Sequence, residues 1–149
     1  AGVRVMREMG QQCVRGQTIQ KAIKRAGILE AQSYSYSYDM LGEAAVNDAD
    51  ARSYHMAYAD AIAQISRAAS GDDIRTNPGI SIKLSALHPT YDLLHRDHVM
   101  RDLVPLARSL ALLAKSAGIG LNIDAEEAAR LDPSLDVIEA VLSEPSLAG

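Results

Sequence analysis

Asp39, Lys83 and Asp124 follow one another at intervals of 44 and 41 residues, and each closes a short run with the same alternation. Residues 33–39 read SYSYSYD, residues 80–83 read ISIK and residues 118–124 read GIGLNID. In each run Tyr, Ile or Leu takes one parity, and Ser, Gly or Asn takes the other and leads to the charge. An extended chain sends successive side chains to opposite faces, so each run has an apolar side and a small polar side. A lone charge at a strand end reads as a solvated edge residue or a helix cap. Three in phase read as a shared polar site. Lys83 lies between Ile82 and Leu84, where an unpaired ammonium would be opposed by desolvation. A carboxylate beside it is expected, with Asp39 and Asp124 as candidates. A lysine so flanked can activate a carbonyl through a Schiff base, as in a lyase or aldolase. It can also belong to an ion-pair network in a scaffold that performs no chemistry.

The elements that must position these charges are legible from periodicity and punctuation. Residues 2–12 and 17–27 read as leading helices, the second with Ile19, Ala22, Ile23 and Ala26 on one stripe between Gly16 and a terminating Gly27. Asn47 is an N-cap followed by Asp48 and Asp50, and the helix it opens reaches about Ser70, with Tyr54, Tyr58, Ile62 and Ile65 on a face and Gly71 as its stop. Pro78 and Gly79 precede a second strand, ISIKLSAL. A helical stretch over 92–117 is divided in two by Pro105 and ended by Gly118. After the third strand a short helix covers Glu126 to Arg130, its acidic pair Glu126–Glu127 suiting the helix dipole, and Pro133 opens a last helix to about Ser143.

Strands separated by helices of more than a dozen residues imply parallel pairing and right-handed crossovers. A doubly wound sheet, covered on both faces, asks for nearly continuous apolar strands. One apolar face and one small polar face suit a (β/α)8 barrel, with large residues toward the helices and small ones toward the axis. The expected fold class is therefore α/β, part of a TIM-type barrel. Residues 1–32 supply leading helices, and 33–149 supply the first three β-α units of one partial domain. Asp39, Lys83 and Asp124 would then converge on the C-terminal rim.

Composition limits the alternatives. The 149 residues suffice for one domain with a core; Phe and Trp are absent, and six tyrosines are present. A formal charge of −4 with no basic stripe argues against a nucleic-acid partner. No run of about 18 apolar residues predicts a membrane span. The lone Cys13 excludes an internal disulfide and reads as a spectator thiol in a reducing compartment. His88, His95 and His98 lie close together, but with no carboxylates gathered around them no metal site is expected. His88-Pro89 reads as the exit turn of the second strand. Gly118 and Gly120 precede or interrupt their strand and form no phosphate loop. The absence of an initiator Met and the ending SEPSLAG read as a piece of a longer chain.

Three stretches in order, YSYDMLGEAA (36–45), GISIKLSALHPTY (79–91) and LNIDAEEAARL (121–131), resemble the proline dehydrogenase domain of bacterial proline utilisation A flavoenzymes. The likeness runs from about residue 14 to Gly149, with one departure, Thr90, where an Arg is expected. It implies a (β/α)8 barrel that holds FAD and oxidises L-proline to 1-pyrroline-5-carboxylate. Lys83 then matches the active-site lysine that helps hold the substrate carboxylate, with Asp39 as a polar residue beside it. Glu43 matches the acidic partner of an arginine that closes over substrate. Asp124 matches the aspartate near the flavin, with Ala125 next to it. The resemblance also implies a quinone-type electron acceptor, a cytoplasmic or membrane-associated setting for the full enzyme, and the rest of the barrel as a partner. The paired substrate-gripping arginines and most FAD contacts would lie outside this segment, which is therefore expected to be inactive alone.

Overall fold

The computed structural model describes residues 14, 16–30, 35–71 and 73–148. The helix expected at 2–12, Cys13, and the Ser33–Tyr34 start of the first run lie outside the described residues. The chain divides into two compact units, Ala1–Tyr36 and Ser37–Gly149.

In the first unit, α1 spans Ile19–Glu30. Its least exposed stripe is the one read from periodicity, with Ala22 and Ala26 buried. Gly27 does not stop it: the helix continues for three further residues. Glycine in a helix costs only about 1 kcal/mol against alanine, so an isolated one is a weak stop signal.

The second unit contains a three-stranded parallel sheet in the order β1 (Ser37–Asp39), β2 (Gly79–Ile82), β3 (Leu121–Ile123). Helix α2 (Asp48–Ser66) connects the first pair and α3 (Arg96–Ser116) the second; α4 (Leu131–Leu142) follows β3. Sequential strand order with helical crossovers is the arrangement expected of successive β-α units in a barrel. The register sets Asp39 beside Ser81, and Ser81 beside Asn122.

The apolar parity of the strands faces a core. Tyr38, Ile80 and Ile82 are buried there with Tyr58, Ile62 and Ile65 of α2 and with Val99, Leu103, Ala107 and Leu110 of α3. Helix α2 starts where the sequence indicated. Asn47 Oδ1 accepts the Asp50 N–H at 2.9 Å, while Asp50 Oδ2 accepts the Val46 N–H at 3.2 Å. It ends at Ser66, short of the expected Ser70 and Gly71. The reason lies downstream, at a residue that carried no helix signal. Buried Asn77 accepts the Gly71 N–H and donates to the carbonyls of Gly71 and Gly118, tying the exit loop to the end of α3. These bonds satisfy backbone groups that a longer helix would have used internally.

Helix α3 is one continuous element despite Pro105. The proline is on the exposed side, and so is Arg101, whose carbonyl loses its intrahelical donor. Water can meet that carbonyl, while the packing of the buried stripe keeps the element continuous. Gly118 ends α3 as expected, at φ +67, with the Ile119 N–H bonded back to the Ala114 carbonyl.

The strands are shorter than their alternating runs: among the described residues β1 begins only at Ser37, and β3 spans Leu121–Ile123, leaving Gly118, Gly120 and Asp124 outside it. β2 stops at Ile82, and LSA (84–86) forms a 3-10 turn. The stretch Glu126 to Arg130 has only a 3-10 turn at Ala128–Arg130, and α4 begins at Leu131, two residues before Pro133. After β2 and β3 the chain turns at the rim to make side-chain contacts across strands, which local pattern does not encode.

Candidate active site

The polar parity of the three strands assembles as one surface. Ser37 Oγ and Ser81 Oγ lie 3.1 Å apart, and Asn122 Nδ2 donates to Ser37 Oγ at 2.9 Å. Residues separated by 85 positions thus share a hydrogen bond on the small-residue face of the sheet. One layer further toward the C-terminal ends, Lys83 Nζ donates to Asp39 Oδ1 and to Asp124 Oδ2, each at 2.9 Å. The three charges read from the sequence therefore meet at one point.

Their exposure is graded. The Lys83 side chain is 17% exposed, Asp124 29% and Asp39 53%. Burial opposes the Lys83 charge, but the hydrogen bonds and charges of Asp39 and Asp124 outweigh it and raise its pKa above the ordinary lysine value. A raised ammonium contributes stability that is fully present below its unfolded value of about 10.4 and is lost as pH climbs through the folded one. Lys83 is therefore a fixed cation at every physiological pH. A Schiff-base nucleophile must be a free amine, and this arrangement works against one.

Lysine has three donors, of which two are engaged by the flanking aspartates. The third is left for an acceptor at the rim. Lys83 is also held from its backbone: its N–H donates to the Tyr58 hydroxyl of α2 at 3.1 Å. Burial pushes the Tyr58 phenol up, so it stays protonated. Its role was not visible in sequence, where Tyr58 was only one member of the apolar stripe of α2. The Asp124 N–H is bound to the Ile82 carbonyl at 2.9 Å, which continues the β2–β3 ladder to the charged layer.

Glu43 does not join this cluster. It is exposed in the loop between β1 and α2, and among the described residues it has no ion-pair partner. The loop has an unusual backbone: Gly42 has φ +132 and Ala44 has φ +54. A Cβ at Gly42 would run into the Tyr54 ring. Gly42→Ala is expected to destabilise the intact protein by about 2 kcal/mol, from left-handed strain plus that clash, with the urea m-value unchanged. A loss within 0.5 kcal/mol, an order-of-magnitude threshold for a neutral surface change, would contradict it.

Glu126 is corrected by the structure. Rather than decorating a helix start, its carboxylate is 10% exposed, accepts the Ser85 N–H at 3.0 Å and pairs with Arg130 at 3.0 Å. Arg130 lies over the Tyr91 ring, 5.6 Å from its centroid. The i,i+4 spacing of Glu126 and Arg130 was the signal that could have revealed the pair. Ala125 follows Asp124 as an exposed small residue. His88 is buried and its Nδ1 accepts the Thr90 N–H at 3.2 Å. His95 bonds Asp92, and His98 faces Arg101. No group of His, Cys, Asp and Glu able to hold a metal occurs among the described residues.

The sequence profile of the family described as proline dehydrogenase matches residues 22–149. The chain belongs to the proline dehydrogenase family. It is 54% identical over 144 residues to the "Bifunctional protein PutA" of Salmonella typhimurium and 53% identical over 144 to that of Escherichia coli K12. In both cases the match covers 97% of this chain and 11% of the relative. A crystal structure of a Proline Utilization A (PutA) mutant from Bradyrhizobium japonicum superimposes with a TM-score of 0.82 at 49% identity, covering 98% of this chain and 15% of that one. The chain thus spans about a tenth of the length of the curated relatives it matches. With three parallel β-α units in sequential order, this proline dehydrogenase segment is α/β and has the architecture of a partial (β/α)8 barrel. No helix among the described residues is long and apolar enough to cross a membrane.

Proposed function

We propose that this segment forms part of the substrate-facing rim of an FAD-dependent dehydrogenase that oxidises L-proline to 1-pyrroline-5-carboxylate, working within a larger barrel. The observation that carries this reading is the Lys83 ammonium, fixed between Asp39 and Asp124 at the ends of three adjacent strands. The free Lys83 donor is suited to one oxygen of a substrate carboxylate. Holding the ammonium in place before substrate arrives avoids reorganisation at the moment of reaction. The two aspartates keep it protonated and favour positive charge on a substrate nitrogen nearby. Glu43, exposed on the β1–α2 loop, is free to pair with an arginine from elsewhere in the protein.

The fit to a flavin is partial. An exposed alanine beside a partly covered carboxylate, Ala125 and Asp124, gives a flat ring an approach and a polar neighbour. Among the described residues no glycine-rich loop opens a helix to cradle its phosphates, which would be held elsewhere in the barrel. FAD, when bound, would supply the hydride acceptor. A quinone-type acceptor would then reoxidise it in the full enzyme.

In an intact protein carrying this segment, adding L-proline is expected to bleach a protein-bound flavin spectrum, and borohydride with a keto acid is expected to leave Lys83 unmodified. Trapping on Lys83 without proline-dependent bleaching would replace this reading with the Schiff-base one. The segment by itself leaves barrel strand edges open, so titrating it with FAD should give no stoichiometric flavin complex. A one-to-one complex would show that the missing strands are dispensable for the cofactor.

A further inference from the structure

Ser85 sits at the junction of three loops that contribute residues to the rim. It is 2% exposed, in the 3-10 turn that follows Lys83. Its N–H donates to Glu126 Oε1, two residues after Asp124, at 3.0 Å. Its hydroxyl accepts the Ala44 N–H at 3.1 Å, and its carbonyl accepts the Ala45 N–H at 2.9 Å. One small residue therefore ties the loop after β2 to the loops after β1 and β3. Glu126 is itself fixed by Arg130, whose guanidinium is held over Tyr91.

The β1–α2 loop shows what these bonds hold. Ala44 has φ +54, a conformation that costs a residue with a Cβ about 1–2 kcal/mol, and its N–H and that of Ala45 both end on Ser85. Strain of this kind persists only where the surroundings fix it. Glu43 lies between Gly42 and Ala44, both at positive φ, so its backbone direction is set by a turn that glycine adopts freely and Ala44 only under strain.

We propose that Ser85 and Glu126 are positioning residues that hold the β1–α2 loop in its strained form and so present Glu43 at the rim. The inference rests on the reading of Glu43 as a group that helps to close the site over substrate. Neither residue need touch substrate. Ser85 stands between Lys83 and Glu43 in the network and sets the geometry of one relative to the other.

The test is a double-mutant cycle in an intact proline dehydrogenase carrying this segment. Ser85→Ala removes the acceptor of the Ala44 N–H and is expected to raise KM for L-proline about fivefold, as loss of one hydrogen bond does, with the change falling on KM more than on kcat. Glu43→Ala should raise KM by at least as much, and the double variant should be no worse than Glu43→Ala alone. Multiplying effects would mean that Ser85 acts independently of Glu43 and would overturn the proposal. So would an unchanged KM in Ser85→Ala beside a raised one in Glu43→Ala. An unchanged KM in Glu43→Ala would overturn the Glu43 reading itself, and the proposal with it. Should Ser85→Ala lose flavin or fold, Glu126 supplies the same comparison. Glu126→Gln keeps an oxygen for the Ser85 N–H and should hold KM within about twofold, while Glu126→Ala should raise it about fivefold. Equal effects of Gln and Ala would count against the positioning role.

Discussion

Lys83→Met in an intact proline dehydrogenase carrying this segment is expected to lower kcat/KM for L-proline about 100-fold while the protein stays folded. Met keeps much of the length of the lysine stem and removes the charge. What disappears is the cation that Asp39 and Asp124 hold in place and whose third donor those two bonds leave for substrate. A hydrogen bond to a charged group contributes about 1.5–3 kcal/mol, which corresponds to roughly 10- to 150-fold. Binding of carboxylate analogues of proline should weaken by a similar factor, because the lost interaction exists before the chemical step. The fold should survive because the two carboxylates left facing each other are 53% and 29% exposed, and water can reach both. Steady-state kinetics, analogue titration and thermal melting decide the matter. Unchanged kinetics would leave the ion-pair network as scaffold only.

The second large effect concerns what keeps Lys83 a cation. Replacing both Asp39 and Asp124 with Ala removes the two influences that raise its pKa and leaves burial, which lowers it. The sign therefore reverses, and the lysine pKa should fall below the ordinary value of about 10.4. At pH 8 the free-amine fraction rises by a factor of ten for each unit of that fall, so labelling of Lys83 by an amine-directed acylating reagent should increase at least about tenfold. Peptide mapping at several pH values would follow it. Labelling no faster than in the unaltered protein would mean that the carboxylates do not control the ammonium. The single variants should differ. Asp124→Ala is expected to cost about 1–3 kcal/mol of stability, since Asp124 is the better covered partner, and Asp39→Ala less than about 1 kcal/mol, since exposed pairs are screened.

Both expectations depend on a feature legible in the sequence itself. In SYSYSYD, ISIK and GIGLNID the period of two sorts side chains by face, and the phase of the charges follows from counting. Parallel pairing follows from helices long enough to cross between strands, so the expectation that Asp39, Lys83 and Asp124 meet needed only that the runs lie side by side. The cap at Asn47 and the stop at Gly118 were equally local and stand where the sequence placed them. The features that local pattern misplaces have a different origin. The ends of α1, α2 and β2, the unbroken α3 and the burial of Glu126 were settled by contacts between residues far apart in the chain.

Local chemistry alone thus determined which residues alternate, which carry charge and which cap, because φ/ψ preference and side-chain direction act over a few residues. Tertiary structure decided where elements stop and which polar groups become shared. Asn77 bonded to both Gly71 and Gly118, Tyr58 reaching the Lys83 backbone, and Ser85 holding Ala44, Ala45 and Glu126 are all pairings across different elements. Hydrogen-bond partners inside a fold are chosen by three-dimensional proximity and by the need to satisfy every buried donor and acceptor, and neither leaves a periodic trace in the sequence.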